Sequence, residues 1–362
     1  MDEPQNRHVS GDTVSTGRNK SVEAGATAVL NPTAEAAQRS NAIRGIAIMS
    51  LAMVFLPLMD IIAKYLSQSM ATGQIAWSRF LFQSLLLMPF AWRLLKHTKR
   101  SAITPHNSSY SRAEQPRRRS GLLPDRWHLH ALRGFLIAAA TLCFFTAVTR
   151  LPVADAIAIF FVEPLLLTLM SPFFLGERIG WRRLSAVLIG FAGALIIIKP
   201  GADVFGVYAF LPLGAALCFA FYLILTRKLA QDTDPVLVQF FTGLSGLFFM
   251  SIALIAGKII NLLPGSEFNL FFLQAIWPTA NQWAFMALLG AIGCLGHLAV
   301  VYAFRYVDAS TLAPLQYFEI VGAAIFGWLV FNDVPTLNTW IGIVIITGSG
   351  IYVYWRERAL AS

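Results

Sequence analysis

Long apolar runs alternate with short polar segments along this chain of 362 residues. A helix needs about 20 apolar residues to cross the roughly 30 Å hydrocarbon core of a bilayer. Ten runs have about that length, so the pattern predicts ten membrane-spanning helices. They lie at about 44–66, 73–95, 130–150, 154–175, 182–199, 206–227, 235–257, 282–304, 309–331 and 338–355.

The second half of the chain repeats the first at a constant shift. Moving down by 156 residues places Glu163 on Glu319 without a gap, each inside an apolar run that is followed by a polar turn and a second run. Five spans in each copy is an odd number, so the two copies must have opposite orientations in the membrane. We therefore predict an all-α integral membrane protein built from two inverted five-helix repeats, 44–200 and 201–356.

The stretch FVEPLLLTLMSPFFLGERIGWRRLSAVLIGFAGALIIIKP, residues 161–200, resembles the signature half-domain of the EamA family in the drug/metabolite transporter (DMT) superfamily. The resemblance covers roughly residues 44–356 and implies one five-helix EamA unit in each half. Four short motifs resemble the S-adenosylmethionine-transporter-like and riboflavin-transporter-like branches. They are DIIAKYL at 60–66, WSRFLF at 77–82, ALRG at 131–134 and DASTLAPLQYFEI at 308–320.

Charge predicts the orientation of the helices. The formal net charge is +9, and in a membrane protein the informative quantity is where the Lys and Arg residues lie. With the N-terminus in the cytoplasm, the inner segments hold 23 of the 28 Lys and Arg residues and the outer segments hold four. This asymmetry predicts both termini inside and a multi-pass protein of the cytoplasmic (inner) membrane.

The basic run RRRS at 117–120 is interpreted as a topology signal that contacts anionic lipids, and no nucleic-acid partner is expected. The other expected partner is a small-molecule substrate, and a homodimer is left open. Residues 1–43 are too poor in large apolar side chains to order themselves, so we predict a disordered cytoplasmic tail. A basic cytoplasmic loop at 93–129 and a short cytoplasmic tail at 357–362 complete the organisation.

Several classes of protein are excluded by what the chain lacks. Cys143, Cys218 and Cys294 each lie inside an apolar run and have no metal-ligand or CxxC spacing, so we expect no disulfide, metal or cofactor. No HExxH, Walker, GxSxG or kinase pattern occurs. We therefore do not expect an enzyme or an ATP-driven pump.

Two carboxylates are the central candidates for chemistry. Glu163 and Glu319 lie near the middle of their predicted spans, where an ionised carboxylate facing lipid would cost several kcal/mol. Both should face the interior, near the axis of the repeats, where inverted-repeat transporters place their substrate. Either could exchange a proton during transport. The alternative is a structural role in bonding neighbouring helices.

A second candidate pair lies near the outer surface. Asp60 follows Pro57 in the first predicted helix, about 9 Å from its outer end at 1.5 Å per residue. Arg79 lies at a comparable depth in the second helix. Each would be an uncompensated charge alone, so we predict an ion pair. Whether it binds substrate or is purely structural is left open.

Four further residues complete the candidate site. His297, near the middle of the eighth predicted helix, could titrate or could satisfy a buried partner. Trp77, Gln316 and Tyr317 offer stacking and hydrogen-bonding groups for a planar or zwitterionic metabolite, although such residues often serve packing alone.

These features together predict a secondary active transporter of a small polar organic metabolite. The resemblance implies a cofactor, a vitamin or an amino-acid-like compound such as S-adenosylmethionine or riboflavin, carried by alternating access with proton coupling or exchange. An exporter of amino acids or drugs of the same family is the alternative. A channel or a membrane sensor is the alternative from another class, but no filter loop or output domain is evident.

Overall fold

The computed structural model describes residues 32–103, 126–148, 159–198, 210–262, 273–331 and 336–360. These ranges are almost entirely helical, and no strand occurs within them. The helices are α1 (Pro32–Phe55), α2 (Pro57–Ser67), α3 (Thr72–Ile103), α4 (Trp127–Val148), α5 (Glu163–Leu175), α6 (Trp181–Ile198), α7 (Phe210–Asp232), α8 (Pro235–Leu262), α9 (Ala280–Tyr306), α10 (Ala309–Leu312), α11 (Phe318–Phe331) and α12 (Leu337–Leu360).

Six helical stretches are long and apolar enough to cross a membrane. The predicted spans 73–95, 154–175, 182–199 and 338–355 also contain helix, namely α3, α5, α6 and α12, but these helices are not among the six stretches. The six stretches are Ser40–Ser67, Trp127–Phe144, Phe210–Asp232, Pro235–Leu262, Ala280–Tyr306 and Ala309–Phe326.

Two helices extend furthest beyond the predicted bounds. α1 begins at Pro32, inside the segment predicted as a disordered tail, and α3 continues to Ile103, inside the predicted basic loop. Both extensions are rich in Ala, Glu, Leu, Lys and Arg, which are strong helix formers, and Pro suits the first position of a helix. Residues 1–31 and 104–125 of these two predicted segments lie outside the described residues, and the end of the predicted loop is helical because α4 begins at Trp127.

Prolines interrupt three of the predicted spans. The first span breaks at Leu56, before Pro57, where the sequence predicts a kink. In the ninth span, a 3₁₀ turn at Ala313–Tyr317 separates α10 from α11. α5 begins at Glu163, directly before Pro164. Proline lacks a backbone N–H and cannot continue an α-helical ladder, so each break leaves backbone groups that the helix itself does not bond.

The apolar runs suggested that the two glutamates lie in the middle of helices, but these breaks give them a different position. Glu163 and Glu319 both occupy the first turn of a helix that follows a break, at the starts of α5 and α11. Free N–H groups at a helix N-terminus stabilise a carboxylate there.

The packing of the helices brings the polar residues to the centre of the bundle. α4 packs against α7 and α8, while α9 packs against α1, α2 and α3. Glycines on α9 permit close contact with its neighbours, because a Cβ atom at Gly290, Gly293 or Gly296 would overlap Phe82, Met59 or Leu56 respectively. Small residues serve this purpose in membrane helices.

Candidate transport site

A narrow cavity lies between α2, α3 and α9. Asp60 lies two turns before the end of α2 and Arg79 two turns after the start of α3, so the short connection between these helices places both residues on the same cavity. Asp60 is exposed, whereas Arg79 is buried. The other lining residues are Met59, Ala63, Ile75, Ala76 and Leu289.

Arg79 does not form the predicted ion pair with Asp60. Its Nη2 instead donates to Nε2 of His297, at 2.5 Å, and its Nε has no hydrogen-bond partner among the described residues. Asp60 and Glu319 remain electrostatic neighbours of the guanidinium. The reason for the difference is that α9 packs against both α2 and α3 and presents His297 to Arg79. A contact across 218 positions in sequence leaves no local signal.

His297 continues the hydrogen-bond chain into the bundle. Its Nε2 accepts from Arg79, so in this arrangement the neutral ring carries its proton on Nδ1. Nδ1 then donates to the hydroxyl of Tyr222, at 3.3 Å, and that hydroxyl also accepts from Nη2 of Arg133, at 2.9 Å. The two arginines are thus joined through a buried histidine and a buried tyrosine.

Sequence analysis did not identify Arg133 as a functional candidate. This side chain has 0% exposure, lies over the ring of Tyr222 with its Cζ 4.3 Å from the ring centroid, and makes no ion pair in the described part of the chain. The available signal was an arginine inside an apolar run, which is unusual in a membrane helix. Its acceptors are Thr226 Oγ1 at 2.8 Å, Tyr222 Oη at 2.9 Å, Val238 O at 3.4 Å, Gln239 Oε1 at 3.5 Å and Thr242 Oγ1.

Glu163 is a further neighbour of Glu319 and does not line the cavity. Its carboxyl is only 2% exposed and is an electrostatic neighbour of Gln316, Tyr317 and Glu319. Oε1 of Glu163 and Nε2 of Gln316 both lack a hydrogen-bond partner among the described residues, although they belong to neighbouring side chains. Tyr317 donates to the carbonyl oxygen of Phe161, at 3.3 Å, across the break that precedes α5.

Glu319 connects the two groups of residues. It is half-buried, and its electrostatic neighbours are Asp60, Arg79 and Glu163. The structure therefore brings five sequence-predicted charged or titratable residues into one network, because His297 bonds to Arg79.

Trp77 has a different position from the one expected of a substrate-lining residue. Its indole N–H donates to Ser251 Oγ, at 2.9 Å, and its ring packs against the main apolar core, joining α3 to α8. It is not among the residues that line the cavity. In the described ranges, no group of three or more His, Cys, Asp and Glu residues is arranged to hold a metal ion.

Comparisons with known proteins agree with the sequence resemblance. The S-adenosylmethionine uptake transporter of Rickettsia bellii is 27% identical over 303 residues, which cover 84% of this chain and 90% of that protein. The riboflavin transporter of Vibrio cholerae is 30% identical over 254 residues, which cover 67% and 79% of the two chains. A protein of known crystal structure matches with a TM-score of 0.64 at 17% identity, covering 87% of this chain and 98% of its own, which is a likeness of fold.

The EamA-like transporter family model matches this chain twice, at residues 43–199 and 206–355. The two matches follow the division into halves that the shifted glutamates indicated, and they cover most of the sequence. The chain belongs to the EamA-like transporter family.

Proposed function

We propose that the protein is a secondary active transporter that carries a small zwitterionic metabolite across the cytoplasmic membrane, with ten spans arranged as two inverted repeats. The observation that carries the proposal is the network of Asp60, Arg79, Glu319 and Glu163, which begins at a cavity and continues into the bundle. The two family matches supply the transporter class.

The pattern of helix packing supports the inverted repeat. A shift of 156 residues maps α3 on α8, α4 on α9, α5 on α11, α6 on α12 and the first span on α7. The contact between α4 and α7 then corresponds to the contact of α9 with α1 and α2. In addition, α3 packs against its own counterpart α8, and α6 packs against its own counterpart α12. Two-fold related elements that contact one another lie on the axis.

Two hydrogen bonds support such an axis at the level of single residues. Gln83 Nε2 donates to the carbonyl oxygen of Gln239, at 2.9 Å, and Tyr317 donates to that of Phe161. Each bond joins residues 156 positions apart, as expected where a pseudo-two-fold axis brings a residue against its own counterpart.

The charges around the cavity favour a substrate that carries both signs. Arg79 has an unpartnered Nε that suits a carboxylate, and Asp60 with Glu319 suits an ammonium or sulfonium group. The residues that line the cavity include charged side chains of both signs, so a zwitterion suits this region better than an uncharged flavin. S-adenosylmethionine, named for one relative, has a carboxylate, an ammonium and a sulfonium.

The two glutamates have different roles in this proposal. Glu319, beside Arg79 and Asp60, binds the cationic part of the substrate. Glu163 makes no ion pair in the described residues and lies deeper, so it exchanges the proton that drives net uptake. The carbonyl groups left unbonded near Pro164 make a local rearrangement of this region easier.

The test is uptake and counterflow of S-adenosylmethionine, with riboflavin in a parallel assay, in proteoliposomes. Glu163→Gln keeps the shape of the side chain and removes its titration, so net uptake should fall about tenfold or more and lose its pH dependence, while exchange survives. Glu319→Gln should weaken substrate binding in both net uptake and exchange. Asp232→Asn, at an exposed carboxylate paired with Arg126, is the control and should change neither. Unaltered pH-dependent uptake by Glu163→Gln would remove it as the proton carrier.

A further inference from the structure

A cluster of charged side chains lies at the end of the bundle opposite the cavity. At this end α5, α7 and α9 finish while α6 and α10 begin, whereas the cavity lies where α2 finishes and α3 and α9 approach it from their starts. We name it the inner cluster, and it consists of Glu177, Arg183, Arg227, Asp308 and Ser310.

Glu177 bonds the N-terminus of a helix from the other repeat. Its Oε1 accepts the backbone N–H of Ala309, at 2.8 Å, and its Oε2 accepts that of Ser310, at 3.0 Å. These are two of the N–H groups that the start of α10 cannot bond within the helix. The side chain is 7% exposed, so these charge-assisted bonds are shielded from water.

Two arginines complete the inner cluster. Arg227 contacts Asp308, with Nη2 and Oδ1 2.8 Å apart, and Glu177, with Nε and Oε1 3.8 Å apart. Arg183 contacts Asp308 at 3.6 Å and donates to Ser310 Oγ at 2.9 Å. Cations and carboxylates therefore alternate in a partly buried network, which is worth more than an isolated surface pair.

The contacts of the inner cluster cross between the two repeats. Glu177 and Arg183 belong to the first repeat, whereas Arg227 and Asp308 belong to the second. A substrate that leaves the network of Asp60, Arg79 and Glu319 towards this end must pass between the two repeats, so these contacts must separate. At the other end, the cavity reaches exposed Asp60.

We infer that the inner cluster is the closed cytoplasmic gate of the transporter, and that the structure is in a state closed at this end. The inference rests on the proposed function for its orientation and for alternating access. Opening this gate requires the loss of two helix-capping hydrogen bonds and three ion pairs that connect four segments.

The residues at the corresponding positions of the opposite end cannot form the same ion pairs. The shift of 156 residues places Asp333, Thr339, Ala71 and Pro152 where the inner cluster has Glu177, Arg183, Arg227 and Asp308. Only one of the four charged positions keeps a charge. Closure by ion pairs, and hence sensitivity to salt, should therefore be a property of the inner end alone.

The test measures access to two cysteines from opposite sides of the membrane. In a background with Cys143, Cys218 and Cys294 replaced by Ala, one reporter is Ser310→Cys, at a side chain of 0% exposure in the inner cluster. The other is Ala63→Cys, at the cavity. Labelling by a membrane-impermeant maleimide is followed in inside-out vesicles for the first and in right-side-out vesicles for the second.

Glu177→Gln and Arg227→Gln should each raise the labelling rate at Ser310→Cys about tenfold and lower it at Ala63→Cys, since a two-state equilibrium shifts towards the inward-open form. Arg126→Gln removes an exposed ion pair at the same end and is the matched control, with no change expected. Raising the salt concentration should accelerate labelling of Ser310→Cys without any gate substitution, which keeps the test valid if a variant folds poorly.

Equal labelling of Ser310→Cys in the gate variants and the Arg126→Gln control, with no response to salt, would overturn the gate. The proposed function fails in a different way, namely by absence of counterflow with either substrate in the unmodified protein. Substrate exchange without any change in labelling would contradict only the gate. Changes in labelling without any exchange would contradict only the proposed function, because the inner cluster would still control access to this end.

Discussion

Arg133 and Arg79 are both buried in the bundle and are joined through Tyr222 and His297, yet their surroundings differ. The five N–H groups of Arg133 have five acceptors, from α7 and α8, and it is not among the residues of the cavity. Arg79 has an unpartnered Nε and lines the cavity.

The comparison teaches how to separate a structural charge from a functional one inside a membrane protein. A buried guanidinium whose donors are all bonded has no capacity left for a ligand, so its role is to hold α4, α7 and α8 together. A buried guanidinium with an unpartnered donor beside a cavity still has bonding capacity for an anion. The sequence shows only that both arginines interrupt apolar runs.

Arg133→Leu should have the largest effect. It would leave several buried acceptors without a donor, and hydrogen bonds to a charged group contribute about 1.5–3 kcal/mol each. We expect a loss of stability of about 3 kcal/mol or more, with little folded protein recovered. The measurement is thermal unfolding in detergent with size-exclusion chromatography. An unchanged Tm would show that the bonds of Arg133 contribute little to stability. Arg133→Lys should lower the Tm less than Arg133→Leu does, because lysine keeps the positive charge but not the planar fork of the guanidinium.

Arg79→Lys should affect binding more than folding. Lysine keeps the positive charge but cannot present the planar fork of an arginine to a carboxylate, so we expect affinity for S-adenosylmethionine, the proposed substrate, to fall about 10- to 100-fold. The unliganded Tm should change by only a few degrees. Substrate-induced thermal stabilisation and binding titration provide the readout. A large loss of unliganded stability with normal affinity would assign Arg79 the same structural role as Arg133.

Tyr222→Phe should have the smallest effect and measures the connection between the two sites. It removes the hydroxyl that accepts from Arg133 and His297 and keeps the ring, so stability should fall by about 1 kcal/mol. The informative quantity is the double-mutant cycle with Arg79→Lys, read on substrate affinity. An interaction free energy above about 0.5 kcal/mol would show that the two regions are coupled, and additivity would show that they act independently.

A large part of the site was predictable because its residues are anomalous in their local context. Glu163, Glu319, Asp60, Arg79 and His297 are polar side chains in apolar runs, which carry a free-energy cost that favours an interior position. The break at Pro57 followed from the missing N–H of proline. Arg133 carries the same anomaly, but sequence analysis used it only as part of the motif ALRG at 131–134.

The partners of these residues were not predictable. Arg79 contacts His297 rather than Asp60, and Glu177 caps a helix that begins 132 positions later. These contacts depend on which helix packs against which and on the rotation of each about its axis. Local sequence does not encode these quantities, because a hydropathy pattern records only preference for lipid or water.

The sequence by itself determined the helical class, the approximate position of each apolar run, the relation between the two halves and the family, because each of these depends on composition, period or motif along the chain. Tertiary structure alone decided which of the buried charges have all their bonds made, which line a cavity and which form ion pairs between the two halves of the chain. The physical reason is that a charge in low dielectric is governed by the few atoms within hydrogen-bonding distance, and here those atoms come mainly from distant parts of the chain.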